Sequence, residues 1–419
     1  MVSAAAGSVA LVAAPLVHAH GLPYLLAAGV LAGAMQILFG LLRLGVLMRF
    51  VSTSVRTGFV NALAILIFAA QMPHFIGANT ATWAMVGLGL AIIYLLPRIT
   101  TAVPSPLVCI VVVTLAAHWL GLPLKTVADL GHLPDALPAF AWLSVPMSIE
   151  TLRIIALPAF AIAMVGLLES MMTASVVDDL TDTPSSKNRE CSGLGIANVA
   201  ASFFGGIAGC GMIGQTVSNV RYGGRGRLST LFAGVFLLVL MVLLKPWVSQ
   251  VPVAALVAIM VMVSASTFDW GSLRTLVRHP RMSSAVMLAT VAVTVATDNL
   301  AAGVATGVML SGVFFTFKVA RLLHVHVGAV DESGMRVHRV SGQVFFASAD
   351  MLVDAFDVRE IDGAPVHIDV SQAHFWDVTA VAALNKVVDR LRKYGSVVEV
   401  TGLNQASRDL ILRLDAAPD

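Results

Sequence analysis

Charge is scarce in this chain: charged residues fill 12% of 419 positions, against roughly a quarter in soluble domains. That shortage excludes an ordinary water-soluble globular protein. Neither sign dominates, and a formal net charge of +2 gives no basis for a nucleic-acid partner. Cysteine is limited to Cys109, Cys191 and Cys210, an odd number with no Cys-x-x-Cys spacing, so neither a disulfide framework nor a zinc site is expected. His18, His20, His324 and His326 form two His-x-His pairs without acidic or Cys partners at metal spacing, and no metal is expected there. The opening MVSAAAGSVALVAAPLV lacks the basic stretch of a signal peptide; it reads as a chain that begins inside a helix. A nucleophile–base pair and a phosphate loop are missing too, since GGRGR is not Gly-x-x-x-x-Gly-Lys-Ser/Thr. The chain is not expected to be an enzyme.

What is present in quantity is apolar. Hydrophobic residues make up 58% of the chain and the mean hydropathy is +0.86, so most of it is expected inside the lipid bilayer. Twelve apolar segments fall near 4–17, 24–42, 57–77, 83–96, 104–121, 153–174, 192–208, 211–220, 228–248, 250–267, 282–297 and 299–320. A full span takes about 20 apolar residues, and several of these are shorter. Short or Gly/Pro-interrupted segments point to a binding site in a transporter. If alternate loops face the cytoplasm, Arg43, Arg49, Arg56, Arg98, Lys187, Arg189, Arg221, Arg225, Arg227, Arg274, Arg278, Arg281, Lys318 and Arg321 share that side, against Lys125, Arg153 and Lys245 opposite. This asymmetry predicts a cytoplasmic C-terminus and puts the loop 122–152 outside.

The region from Glu169 to Arg227 departs from a plain membrane helix. Glycines at 205, 206, 209, 211, 214, 223, 224 and 226 would each weaken a helix by about 1 kcal/mol relative to Ala. Broken backbone at membrane depth survives only where it is packed in protein or lines a cavity. Glu169 is a lone acid inside an apolar run, with Thr173 at i+4 on the same helix face; an ionisable residue so placed marks an ion pathway. Gly211, Met212, Ile213, Gly214, Gln215 and Thr216 would open a half-helix whose free N–H groups attract an anion. Asn198 and Asn219 are read as residues that hold helices together, Arg225 and Arg227 as positive-inside residues, and Asp178, Asp179, Lys187, Arg189 and Glu190 as a solvated loop.

After Arg321 the character changes. Residues 335–348 alternate in the strand manner around an expected Ser341-Gly342 turn. A helix (349–357), a strand (365–370), a helix (377–393), a strand (397–400) and a helix (404–414) follow, implying a small α/β domain. The domains are expected at 1–321 and 336–419, joined by a linker over 322–335.

Several blocks then converge in order. LLRLGVLMRFVSTSVRTGFVNALAILIF (41–68), LLES (167–170) and GGRGRLS (223–229) resemble the SulP (sulfate permease) family of inorganic-anion transporters. DVSQAHFWDVTAVAAL (369–384) resembles the Asp-x-Ser…Asp-x-Thr/Ser signature of a STAS domain. The resemblance implies a multi-span α-helical membrane protein with a seven-plus-seven inverted repeat, then a small cytoplasmic α/β STAS domain. Fourteen spans are expected for the family and twelve segments are counted, so the first two spans are expected to be missing. The substrate would be a small inorganic or carboxylate anion, held between two half-helices and moved by alternating access. Transport would be coupled to Na⁺ or H⁺, or run by anion exchange, with no other cofactor.

By the same resemblance, Ser3, Gly7 and Ser8 open one half-helix, with Ala6 standing where the family has Thr. Gly214, Gln215 and Thr216 open the other and share in anion binding. Gln215 replaces an Arg of many relatives, which points away from a purely electrostatic chloride site. Glu169, Thr173 and the backbone at Gly211, Met212 and Ile213 would hold the coupling cation. In the STAS-like part, Asp369, Ser371, Asp377 and Thr379 carry the signature: Asp377 is read as a helix N-cap, and Thr379 matches a residue phosphorylated in bacterial regulators. A homodimer with a cytoplasmic partner for that domain is implied. The competing reading is a transport-inactive membrane scaffold that presents the STAS domain.

Overall fold

The computed structural model describes residues 1–45, 51–100, 103–131, 137–221, 223–278, 281–330, 334–357, 361 and 363–415. Arg49, residues 46–50 of the 41–68 block, and parts of the 122–152 loop, the expected linker and the C-terminus lie outside the described residues. The chain forms two compact units, Met1–Val308 and Met309–Asp419.

The first unit opens with the two-residue strand β1 (Ser3–Ala4), then α1 (Gly7–His20), α2 (Leu22–Leu41), α3 (Thr53–Ala69), α4 (Met72–Phe75), α5 (Thr80–Ile99), α6 (Ser105–Trp119) and α7 (Val127–Leu130). It continues with α8 (Ile149–Thr181), α9 (Lys187–Phe203), the short strand β2 (Cys210–Gly211), α10 (Ile213–Arg221), α11 (Arg227–Leu243), α12 (Lys245–Val248), α13 (Val253–Thr267), α14 (Trp270–Arg278) and α15 (Arg281–Thr297). The next helix, α16 (Leu300–Ala320), runs across the boundary between the units.

Local chemistry sets the breaks. Gly21 adopts φ 85°, donates its N–H to Val17 O at 2.9 Å and so ends α1, while Pro23 opens α2. Asn79 caps α5 by accepting from Thr82 N at 2.8 Å, and Ser148 caps α8 by accepting from Thr151 N at 3.1 Å. Among the described residues, α2, α8, α16, the segment Thr53–Phe75 and α5 are long and apolar enough to cross a membrane. By contrast α11 buries no residue, and Leu231, Phe232 and Leu243 lie exposed along it. An apolar face of that kind fits lipid.

Two packing devices organise this unit. The helices α2 and α9 meet through small residues: a Cβ on Gly33 would come within 2.6 Å of Gly195 O, and one on Gly195 within 2.5 Å of Gly33 O. Such close backbone approach is the usual currency of helix association in lipid. A separate cluster joins Met85, Val86 and Ile93 of α5, Cys109 and Val113 of α6, and Val253, Ala254, Ala255, Val257 and Ala258 of α13.

In the second unit, β3 (His324–Val330), β4 (Arg336–Val344), α17 (Ala349–Asp354), β5 (Val366–Phe375), α18 (Val378–Lys393), β6 (Val398–Thr401) and α19 (Gln405–Asp415) follow in order. The sheet runs β3-β4-β5-β6, antiparallel in its first pair and parallel in the other two. Val340, Val344, Val366, Ile368 and Val370 form a core with Leu352, Leu384, Val387 and Leu391 from the helices and Phe356 just after α17. Two expectations change. Residues 324–330, expected as linker, form β3, and residues 335–348 do not turn at Ser341-Gly342. Instead β4 runs straight through that dipeptide with a register shift; Gly342 takes φ +108°, and a Cβ there would collide with the Leu322 carbonyl. The strand expected at 365–370 extends to Phe375, so Asp369 and Ser371 both lie within β5.

Candidate functional site

The chain after α9 does not continue as helix: Gly205 sits at φ +76°, and the irregular segment that follows leads into the extended pair Cys210 and Gly211. Extended backbone at this depth has to find partners, and it finds them in three places. Strand β2 pairs antiparallel with β1, Ser3 opposite Gly211 and Ala4 opposite Cys210. Just before it, buried Asn198 of α9 accepts from Gly209 N at 2.8 Å and donates to Gly209 O at 3.1 Å. The same amide donates to Gln36 Oε1 at 2.9 Å, and Gln36 Nε2 lies 3.3 Å from Ala163 O. On the other side α8 takes over. Ser170 Oγ accepts from Gly211 N at 2.8 Å, and Thr173 Oγ1 lies 2.6 Å from Gly211 O and 2.9 Å from Glu169 O.

The crossing turns two short helices toward one another. Beyond it, α1 starts at Gly7 and α10 at Ile213. Helix geometry leaves the first N–H groups of each without an intrahelical acceptor, so each end carries about half a positive charge. Gly7, Gly214 and Gln215 are exposed, and a Cβ on Gly214 would meet nothing within 4 Å. Open space beside the positive end of α10 is suited to a small anion.

Each expected residue has a definite place. Ser3 lies exposed in β1, and Met212 donates its N–H to Val2 O at 3.1 Å just ahead of α10. Ile213 begins α10. Thr216 is buried and accepts from Val2 N at 3.0 Å, so its hydroxyl ties the two half-helices rather than facing the open space. Ser8 is buried as well, and its hydroxyl donates to Glu169 Oε2 at 2.5 Å. Glu169 and Thr173 share the face of α8 that meets the crossing.

Three participants carried no signal strong enough to single them out. Cys210 is fully buried and its thiol donates to Glu169 Oε2 at 3.1 Å; in the sequence it was one of three unpaired cysteines. Gln36 and Ser170, both buried, look like ordinary small polar residues in apolar runs. Asn198 does hold helices together, through the bonds above. Asn219 does the same for the turn after α10, and Lys187 pairs with Asp178 at 2.7 Å.

In the second unit the signature splits into two hydrogen-bonded pairs. Asp369 Oδ1 accepts from Ser371 N at 3.0 Å and its Oδ2 lies 3.2 Å from Arg339 Nε. Partial burial pulls this carboxyl up, but the Ser371 and Arg339 bonds outweigh it and hold it below the usual range. Asp377 caps α18 by accepting from Ala380 N at 2.8 Å, and its other oxygen accepts from Phe346 N at 2.8 Å. Thr379 is exposed in the first turn of α18.

Comparison with known proteins agrees across most of the chain. The family model described as the sulfate permease family matches residues 1–86 and 78–290, and the STAS domain model matches residues 327–418. YbaR of Bacillus subtilis (strain 168), which carries a provisional sulfate-transporter name, is 49% identical over 414 residues; the match covers 99% of this chain and 86% of that protein. The bicarbonate transporter BicA of Synechocystis is 27% identical over 425 residues, covering 91% and 74%. Among solved structures, the transmembrane domain of a cyanobacterial BicA superposes with TM-score 0.64 at 27% identity, covering 72% of this chain and 83% of that one. The murine anion transporter Slc26a9, in its inward-facing state, superposes with TM-score 0.81 at 17% identity, covering 94% and 72%. That last likeness establishes the fold.

Proposed function

The chain belongs to the sulfate permease family, and from that premise we propose that it is a secondary active transporter of small anions of the sulfate and bicarbonate class. Relatives named for sulfate and for bicarbonate support that class of substrate. The anion sits between the N-termini of α1 and α10, where Gly7, Ser8, Gly214 and Gln215 contribute N–H groups. A transport domain over 1–321 carries the site, and the C-terminal STAS domain is cytoplasmic, a platform for dimerisation and for phosphorylation at exposed Thr379.

The observation that carries the mechanism is the Ser8–Glu169 hydrogen bond, which joins an anion half-helix to the acid of α8. A carboxylate beside an anion repels it. Two unit charges about 8 Å apart at an effective dielectric near 20 interact by about 2 kcal/mol, roughly a thirtyfold effect on affinity. A Na⁺ or H⁺ at Glu169 removes that penalty, so cation and anion bind best together. Oxygen donors for Na⁺ are at hand in Glu169, Thr173 and the Gly211 carbonyl, the mix of side chain and unwound backbone that suits such ions. Because β1 and β2 are paired, both half-helices move as one body when the site changes sides.

The test is uptake of labelled sulfate and bicarbonate into proteoliposomes, with and without Na⁺ and pH gradients. Wild-type uptake should follow one of the two gradients. Glu169→Gln should fold normally and lose that dependence. Uptake by Glu169→Gln with unchanged gradient dependence would rule out the coupling role, and no uptake of any tested anion by the wild type would rule out transport.

A further inference from the structure

A second space, of about 390 Å³, lies along α10, with Met1 and Thr216 from the half-helix crossing in its wall. Thr181 from the end of α8, Asn219 of α10, and Arg225, Arg227 and Thr230 from the turn into α11 line it, and its lining contains no carboxylate. Both arginines are exposed, and among the described residues neither has a salt-bridge or hydrogen-bond partner for its guanidinium. The turn that carries them is fixed. Asn219 O accepts from Gly224 N at 2.8 Å, its side-chain oxygen accepts from Ser229 Oγ at 2.5 Å, and its Nδ2 lies 3.3 Å from Gly224 O. Gly223 holds φ +88°, which a side chain would strain.

Two guanidiniums on one braced turn, opening into one cavity, offer forked donors to a group with several oxygens. The hydroxyls around them are committed: Thr181 donates to Val177 O at 2.8 Å and Thr230 to Arg227 O at 2.9 Å. The two guanidiniums are uncommitted charged donors in that wall, and a multi-oxygen anion is the chemistry they match. We propose that this cavity is a second oxyanion site, taking a sulfate or phosphate group, either free or on a lipid headgroup. Thr216 lines the cavity and also accepts from Val2 N across the half-helix crossing, so an occupant bears on the element that holds the transported anion. Binding here goes beyond the transport reading and does not require it.

The experiment measures binding by the purified full chain in two ways. Labelled inorganic sulfate is titrated in detergent, and retention of phosphatidylglycerol is compared with phosphatidylcholine in nanodiscs. The wild type is set beside Arg225→Gln/Arg227→Gln, Arg225→Lys/Arg227→Lys, and Gly214→Leu, which closes the half-helix site. Gly214→Leu should keep the cavity's binding. The Gln pair should weaken it by roughly tenfold or more, and the Lys pair, which keeps charge but loses the fork, by less. Loss of sulfate binding alone identifies a free anion, loss of phosphatidylglycerol retention alone a headgroup, and either supports the site. Sulfate binding and lipid retention both unchanged in the Gln and Lys pairs would overturn it. Proteoliposome uptake on the same wild-type preparation separates the questions, since failed uptake with intact arginine-dependent binding would refute transport and leave this site standing.

Discussion

Replacing Asn198 by Leu tests whether the polar brace at Gly209 builds the site. Leu is close to Asn in size, so the change removes bonds more than volume. Three are lost at once: to Gly209 N, to Gly209 O and to Gln36 Oε1. Hydrogen bonds in helical membrane proteins average about 0.6 kcal/mol and reach about 1.7, whereas a buried polar group left without a partner costs about 1–3 kcal/mol. Gly209 is buried and hemmed in, since even a Cβ there would lie 2.5 Å from Ala4 O. Its N–H and C=O have little scope to find new partners, so the total should be about 3 kcal/mol or more. At about 2–4 °C per kcal/mol for domains of about 150–250 residues, and at the low end of that for a unit as long as Met1–Val308, the melting temperature in detergent should fall by about 6 °C. Gln36→Leu alone should cost less. The double variant should fall short of the sum by about 0.6–1.7 kcal/mol, the worth of the bond the two share. A melting temperature for Asn198→Leu within about 1 °C of wild type, or strict additivity with Gln36→Leu, would refute the brace.

Gly214→Leu puts a side chain into open space at the start of α10, so the KM for the anion should rise by roughly tenfold or more while thermal stability stays level; an unchanged KM would move the anion elsewhere. Asp377→Ala removes the cap of α18 and the bond to Phe346 N, and should cost the second unit about 1–2 kcal/mol, read as a lower urea midpoint for that unit; an unmoved midpoint would deny the cap its role. His338 is 3% exposed, packs on Phe356 and has no partner at either ring nitrogen among the described residues. Burial, with Arg336 adding to it, pushes the imidazole below its ordinary value of 6.5. The unfolded chain therefore binds more protons below that pH, and the second unit should hold its stability above pH 6.5 and lose it on acidification. Hydrogen exchange of 336–344 in the full chain, corrected for intrinsic rates, should speed up below that pH and flatten in His338→Leu; an identical profile in both would assign the effect to another group.

How much of this was legible depended on whether a residue's partner lay near it in sequence. Glu169 and Thr173 stood out because an acid and a hydroxyl four residues apart in an apolar run share one helix face, and the half-helix after Gly211 stood out through its glycines. The partners of Glu169 did not: Ser8 is 161 residues away and Cys210 is 41 away, distances that no local period reports. Gln36, Ser170 and Asn198 brace backbone, a task that leaves no pattern in composition. In the second unit, Ser341-Gly342 looked like a turn because that dipeptide usually marks one. Here the glycine instead admits the Leu322 carbonyl to a bulged strand. Strand β3 escaped notice because its short His-Val alternation ends at Gly328 and lies in a region read as linker.

The pairing of β1 with β2 also bears on how the protein is made. At 1.5 Å per residue, α1 is about 21 Å long and α10 about 14 Å, and a bilayer's hydrocarbon core is about 30 Å thick. Neither can satisfy its own ends across the membrane. At about 5–20 residues per second, the ribosome needs roughly 10–40 s between making Ser3 and making Cys210. During that interval β1 lacks the edge that β2 supplies, and it must be sheltered by the translocon, by lipid headgroups or by neighbouring spans. Biogenesis, more than final stability, is therefore where substitutions in Ser3–Ala4 or Cys210–Gly211 should do their damage: protein that assembles works, and the rest is removed before it is ever counted as unfolded.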